Sequence, residues 1–488
     1  MEDSKSSYRS IFKATSLFGG VEIYQILILI VKSKIIAVFL GPVGVGILGL
    51  YQSAQLLIKQ ITSLGLSQSA VRDVAEIYGK GNQDQINRIV AVVRKLVCYT
   101  GTIGLVVAFL LSPLLSRFTF GNYDFTLPFA FLSVTLLFDQ LSAGQLVILQ
   151  GFRRLKDMAK ASACGATLGL SLSIPFYIYL GISGIVPTLI LHSLAALIVT
   201  TFFSRKVKVE KQSLTCKEIF SEGRNMIKLG MAMTISGVLT ALVSYVVRWF
   251  IRVEGGLEEV GLYQAGFAII NVYVGMIFTA IGKDFYPRLS IVNQDDTRCR
   301  ELVSQQGEIA TLIMAPMLMV CLLIMPFLIQ LLYTDKFLPA NDFVSWACLG
   351  MMFKLASWLV SFIFVAKAES GLFVINEFTS GLYALLFNII GYYWGGLTGL
   401  GVSFLVSYLV YFVQVCLIAY RKSSFCFTTS FMKLFATELF FVTTILLIVF
   451  YLSNLFIFAV VLSIIGIAYS LYGLDRKISI FTMIKDMK

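Results

Sequence analysis

Fourteen polar side chains stand where a bilayer would make them costly, and their types and spacing suggest what they could do. Gln52, Gln55 and Lys59, followed by Thr62 and Ser63, fall within an arc of about 100° when a helix is drawn at 100° per residue, a wet stripe on an otherwise apolar stretch. Glu22, Gln25 and Lys32 share a face of similar width upstream. Ser236, Thr240, Ser244 and Arg248 follow one another in steps of four, ending in a cation, and Asp139 and Lys354 complete the set. Ionisable groups inside a membrane mark function unless they satisfy one another. Pairing within the protein, Glu22 with Lys32 or Asp139 with Lys59, is the purely structural alternative. Against it stands the balance of charge: Lys32, Lys34, Lys59, Arg248 and Lys354 face only Glu22, Asp139 and Glu377 as candidate buried acids. An anion in passage would supply the missing charge, and Lys and Arg beside Gln and Ser suit a phosphate attached to a sugar. A proton or sodium site would call for acids in excess.

Other chemistry finds no support. Gly44, Gly46 and Gly49 match the dinucleotide fingerprint G-x-G-x-x-G but have no strand before them. No phosphate-binding G-x-x-x-x-G-K-[ST] run occurs, so ATP hydrolysis is not expected. His192, the single histidine, lies in an apolar stretch and reads as a hydrogen-bonded core residue, without partners for a metal or a nucleophilic triad. The eight cysteines contain no C-x-x-C pair and fall in apolar or basic stretches, which argues against disulfides and thiolate metal sites. No cofactor is expected, and the residues leave open whether a proton or a sodium ion is coupled. Gly165/Gly169 and Gly395/Gly399 are small-residue patterns that let helices approach closely.

The elements that must position these side chains follow from composition. With 58% hydrophobic and 14% charged residues and a mean hydropathy of +0.84, the chain cannot cover itself with polar surface. It is an all-α integral membrane protein. Apolar runs of about 20 residues place spans at 15–40, 43–67, 89–113, 126–150, 158–180, 182–203, 228–251, 259–282, 305–333, 339–366, 371–394, 396–420, 432–452 and 454–473. The basic residues test this count: with the N-terminus in the cytoplasm, 31 of the 39 Lys and Arg fall on the cytoplasmic side and only Arg117, Arg252 and Lys336 at the opposite face. The net charge of +12 is thus a topology signal and an attraction to anionic lipid, with nothing pointing to nucleic acid.

The run Gly49-Leu50-Tyr51-Gln52 returns as Gly261-Leu262-Tyr263-Gln264, each followed by about 20 mostly apolar residues and an Arg-bearing loop. The chain therefore reads as a duplication: an N-terminal lobe of six spans (1–204), a cytoplasmic linker (205–227), a C-terminal lobe of six (228–421), and a last helix pair with a cytoplasmic tail (422–488). Six spans per half give parallel repeats about an axis normal to the membrane.

The residues from Ile35 through Gly41-Pro42 to Gly46 and Gly49-Leu50-Tyr51, with Glu258-Glu259-Val260-Gly261-Leu262-Tyr263-Gln264-Ala265, resemble the helix 1/2 and 7/8 junctions of the polysaccharide-transporter branch of the MOP exporters. Within that branch the chain is most similar to the O-antigen translocases, the Wzx-type flippases. The first turn, Pro42-Val43-Gly44-Val45, departs from the acidic pair common there, which the second half keeps as Glu258-Glu259. The resemblance implies two pseudo-symmetric six-helix lobes in a V around a cationic cavity, plus the C-terminal pair. It also implies transfer of undecaprenyl-diphosphate-linked oligosaccharide across the bacterial inner membrane by alternating access. A polysaccharide polymerase and a chain-length regulator are the partners such a pathway would offer. A multidrug/cation antiporter or a lipid II flippase would share the architecture, and the excess of cations argues against a cationic drug. A membrane polymerase or ligase would need a catalytic site in outer loops that are short, with neither His nor paired acids.

Both termini and the linker are expected in the cytoplasm. A cysteine at Ser213 should therefore resist an impermeant thiol reagent applied from the periplasm to intact cells, and ready labelling would invert the whole topology.

Overall fold

The computed structural model describes the backbone of residues 2–478, apart from 208, 211, 213 and 368, and side chains from Tyr24 to Lys477 at all but a few positions. The Glu22 side chain, Ser213 and the tail 479–488 lie outside the described residues. In chain order the helices are α1 (Glu2–Thr62), α2 (Leu66–Lys80), α3 (Gln83–Leu110), α4 (Ser112–Phe120), α5 (Thr126–Gly151), α6 (Leu155–Leu180), α7 (Ile185–Ser204) and α8 (Cys216–Ala268). A π-helical turn, Ile269–Val274, leads into α9 (Met276–Ile291), followed by α10 (Asp296–Leu332), α11 (Ala340–Ala366), α12 (Ser370–Ser423), α13 (Thr429–Tyr451) and α14 (Phe456–Ile478). Only helices satisfy every backbone group within one segment in a bilayer, and no strand occurs among the described residues.

Among the described residues, ten helical stretches are long and apolar enough to cross a membrane, and four of them, of 39, 50, 39 and 53 residues, are about twice the required length. Glycines divide each of the four, which yields the fourteen spans. Gly41 breaks α1 with φ 62° and ψ −172°, and Gly256 breaks α8 with φ 84° and ψ −177°. Gly181 turns α6 into α7 with φ 55° and ψ −128°, and Gly396 bends α12 with φ 53° and ψ −133°. Positive φ with such extended ψ is open essentially to glycine alone. Each pair of matching turns is separated by the same 215 residues, so the duplication survives in the backbone.

The repeated tyrosine is a packing device. Tyr51, 2% exposed, meets Phe129 edge-on at 5.1 Å and Phe120 at 5.3 Å, while Phe120 stacks on Phe125 at 3.9 Å. Tyr263, 5% exposed, meets Phe343 edge-on at 5.2 Å, and Tyr333 contacts Phe337 at 5.0 Å. The repeated tyrosine thus ties the second span to the loop and start of the fourth, and the eighth to the start of the tenth. The third and ninth spans start alike as well: Asn82 and Asp295 each accept two backbone N–H groups at the N-cap.

The small-residue patterns resolve differently. A Cβ on Gly169 would lie 2.1 Å from the His192 ring, and Gly165 faces Ala196, so that pair does pack α6 on α7. In α12, however, Gly395 faces open space at the bend, and a Cβ on Gly399 would lie 1.8 Å from the Gly391 carbonyl oxygen. The bend turns the helix back on itself, which makes 391 and 399 the crossing pair. Gln414 Nε2 donating to Asn376 and Thr379, both at 2.8 Å, closes the far end of that hairpin.

Compact units divide the chain at 252/253, and not at the linker where the duplication is joined. The seventh span, counted by sequence with the second lobe, belongs by packing to the first unit. Arg252 caps α4, donating to the carbonyls of Thr119 (2.9 Å) and Phe118 (3.1 Å), and Tyr245 bonds Thr119 at 2.7 Å. The linker is anchored too. Thr215 and Glu218 form a capping box at the start of α8, and Arg88 pairs with Glu218 and Glu222. Hydrogen bonds from Thr215, with the nearby Arg88 guanidinium adding to them, hold the Glu218 carboxyl below its ordinary range.

Because Tyr51 and Tyr263 perform one packing task in two places, Tyr51→Ala and Tyr263→Ala should each destabilise the protein by about 3 kcal/mol or more, as buried aromatic truncations do. Thermal unfolding in detergent checks this, and a loss confined to one variant would show that the two knots are not equivalent.

Candidate functional site

The wet stripe of the second span turns toward α5. Gln55 Nε2 donates to Thr135 Oγ1 (2.6 Å) and to the Leu132 carbonyl (3.3 Å), and Lys59 Nζ lies 3.4 Å from Asp139 Oδ2. Thr62 returns its hydroxyl to its own helix at Ile58 O. The Lys59–Asp139 pairing that the sequence offered as a structural alternative is therefore made. Both side chains keep more than a third of their surface exposed (38% and 36%), so the pair is loose and open to exchange. Lys32 and Asp139 are both near enough to act electrostatically on His192. Lys32 is half-buried and makes no ion pair among the described residues. This cluster from four spans thus joins two lysines and one acid. His192 Nδ1, expected to be hydrogen-bonded, is buried against Gly169 with no partner among the described residues.

Arg248 lies elsewhere in the same unit. It is 5% exposed, and its guanidinium folds back to Ser244, reaching both the hydroxyl and the carbonyl, the latter at 2.9 Å. The second and seventh spans run antiparallel, since a Cβ on Gly65 would strike the Gly230 carbonyl at 2.3 Å and one on Gly237 would touch Gln60 at 3.0 Å. Arg248 stands eleven residues beyond Gly237, roughly 16 Å along the helix at 1.5 Å per residue. It sits near the level of Tyr51 and Gln52, not of Lys59. One diphosphate cannot span that depth, so the structure does not bring Lys59 and Arg248 into a single binding point. Gln25 and Gln52 are half-buried.

The second unit holds Lys354 at the middle of α11. Its Nζ donates to Asn271 Oδ1 at 3.0 Å and lies over Tyr408 (5.2 Å), Phe278 (5.6 Å) and Phe404 (5.8 Å). No carboxylate reaches it among the described residues. A lysine at mid-bilayer costs about 2.5–3.5 kcal/mol on insertion scales, and three aromatic faces at about 0.5–2 kcal/mol each, with one charged hydrogen bond, offset a cost of that size.

The two sites are one contact made twice. Lys59 and Asn271 are separated by 212 residues, as Tyr51 and Tyr263 are, and Asp139 and Lys354 by 215, as the turn glycines are. In the first half the cation is on the second span and the fourth neutralises it. In the second half the cation has moved to the tenth span and meets an amide on the eighth. Sequence reading picked Lys354 and missed Asn271, Phe278, Phe404 and Tyr408, although stepping the wet stripe forward by the repeat length lands on Asn271. It also missed two buried acids. Glu308 pairs with Lys477, which joins α10 to α14, and Glu438, fully buried, accepts from Ser470 at 2.6 Å, which ties α13 to α14. Glu377 accepts from Tyr411 at 3.1 Å inside the α12 hairpin. No cluster of metal-ligating residues occurs among the described residues.

A family model for polysaccharide biosynthesis proteins matches residues 35–342, well over half of the chain. The lipid III flippases of Escherichia coli (strain K12) and Shigella flexneri are each 22% identical over 391 residues, covering 78% of this chain and 92% of theirs. Among solved structures, the lipid II flippase MurJ in an inward closed conformation superimposes with a TM-score of 0.73 at 12% identity, covering 94% of this chain and 99% of that one. An inward-facing multidrug resistance MATE transporter of the MOP superfamily gives 0.65 at 14% identity, over 84% and 99%. The fold is that of these membrane transporters, and the chain belongs to the polysaccharide biosynthesis protein family.

Proposed function

We propose that this protein is a flippase, not an enzyme. Its cargo is an undecaprenyl-diphosphate-linked oligosaccharide of the O-antigen or related surface-polysaccharide type, moved from the cytoplasmic to the periplasmic leaflet of the inner membrane. Both termini and the linker face the cytoplasm in this reading. The observation that carries it is Lys354, a mid-membrane cation met by an amide and aromatic rings. Lys32 and Lys59 with a single acid between them add to it. A diphosphate supplies the charge these sites lack, and its oxygens form stronger bonds to an ammonium than an amide does. Affinity spread over moderate cations at several depths favours passage over retention. Family membership and the lipid III flippase relatives agree with a lipid-linked glycan as cargo.

Multidrug transport, the property named for the MATE transporters, is the second reading. A cationic drug would require acids where this chain has lysines.

Proteoliposomes carrying a fluorescent polyprenyl-diphosphate oligosaccharide test the proposal, with translocation read by an impermeant quencher. Lys354→Ala should slow translocation about tenfold or more, the worth of a hydrogen bond to a charged group, and Lys354→Arg should retain part of it at equal protein level. Normal translocation by Lys354→Ala would rule out the cationic route.

The loose pair in the first unit yields a separate expectation. Asp139→Asn frees Lys59, so it should bind the lipid diphosphate more tightly and release it more slowly, whereas Lys59→Ala should weaken binding. Equilibrium binding in nanodiscs decides this, and equal affinities in both variants would make the pair purely structural.

A further inference from the structure

The eighth span does not run as a plain α-helix past Lys354. Between α8 and α9, residues Ile269–Val274 wind as a π-helix, closed by the Gly275 N–H donating to the Ile270 carbonyl five residues back, at 3.1 Å. Such a turn carries one extra residue and displaces the usual donors from their carbonyls. The Asn271 side chain closes onto the preceding turn: Nδ2 donates to the Phe267 carbonyl at 3.2 Å, four residues back. The other end of the same amide, Oδ1, accepts from Lys354. Gly275 is fitted to the turn, because a Cβ there would lie 2.0 Å from the Asn271 carbonyl oxygen. The matching stretch of the first half, around Lys59, stays α-helical to Thr62.

We propose that Asn271 is a positioning residue for the transported anion, coupling occupancy of Lys354 to the winding of the eighth span. With no cargo, the amide holds the Lys354 ammonium and plugs the π-turn. When phosphate oxygens take the ammonium, Asn271 loses the partner that fixes its orientation, and the π-turn is free to resolve into α-helix. Shifting the winding by one residue turns α9 by about 100° against α8. Phe285, which packs on Trp358 and Phe362 of α11, and Leu289, fully buried, then leave their seam. Tyr286, 40% exposed, turns inward. The first half, whose α-helical stretch carries its own cation at this level, shows that the resolved winding is compatible with the contact.

This inference rests on a lipid diphosphate being the cargo, and the experiment separates the two. Single cysteines at Leu289 and Tyr286, in a cysteine-free chain in nanodiscs, are alkylated with and without a polyprenyl diphosphate whose binding is measured in the same samples. Bound lipid should raise the rate at Leu289→Cys about fivefold or more and lower it at Tyr286→Cys. Adding Asn271→Asp, which gives Lys354 a carboxylate to hold it, should abolish both changes. The exchange Asn271→Lys with Lys354→Asn, which places the cation as in the first half, should keep binding and lose the lipid-dependent alkylation. Binding without any change at 286 and 289 in the otherwise unaltered chain overturns this inference alone, whether or not the variants fold. Absence of binding overturns the proposed cargo and this inference with it.

Discussion

Inside a bilayer a polar group has no water to turn to, and this chain meets several of its helix breaks and buried charges with partners of their own. The turn glycines double α1, α6/α7, α8 and α12 back where the chain needs to reverse. Arg252 takes the carbonyls that the end of α4 leaves open. Asn271 ties the π-turn to the last α-helical turn before it through its side-chain amide. Lys59 meets an acid and Lys354 an amide among aromatic rings. The same requirement leaves room for cargo, because a cation satisfied by an amide is satisfied less well than one that meets a phosphate.

Duplication supplied two copies of one scaffold, and the scaffold has changed less than the chemistry it carries. The aromatic knots of Tyr51 and Tyr263 and the matching glycine turns keep the helices at the same spacing. The contact between the second and fourth spans and that between the eighth and tenth therefore bring equivalent positions together whatever side chains stand there. In one half those positions hold a neutral pair, and in the other a net positive charge. The two halves of a symmetric frame are thus electrostatically unlike, which gives an anion a reason to prefer one of them.

The division into compact units at 252/253 adds a second asymmetry. The seventh span opens the second repeat in sequence but is held to the first unit at both ends. Arg252 and Tyr245 hold it at α4, and the pairs Gly230/Gly65 and Arg88 with Glu218 and Glu222 hold it near the linker. The seventh span thus belongs to one repeat by descent and to the other by packing.

Much of this was legible in the residues alone. Hydropathy placed every span on a helix, because a bilayer imposes one length on every crossing, although α1, α8 and α10 begin well before the apolar run and α9 ends beyond it. Basic residues set the expected orientation, and the returning Gly-Leu-Tyr-Gln announced the duplication. The pairing of Asp139 with Lys59 could be named as an alternative but not chosen, since helical periodicity says which side chains share a face and not what that face meets. Tertiary structure alone decided that the stripe of the second span is turned to α5, that Arg248 sits a different depth from Lys59, and that Gly395 makes a bend while Gly391 and Gly399 make the crossing. It alone showed that Asn271 stands in a π-turn, one extra residue of winding that the repeat does not announce. Length, charge and periodicity are properties of a chain, whereas a partner is a property of two helices brought side by side.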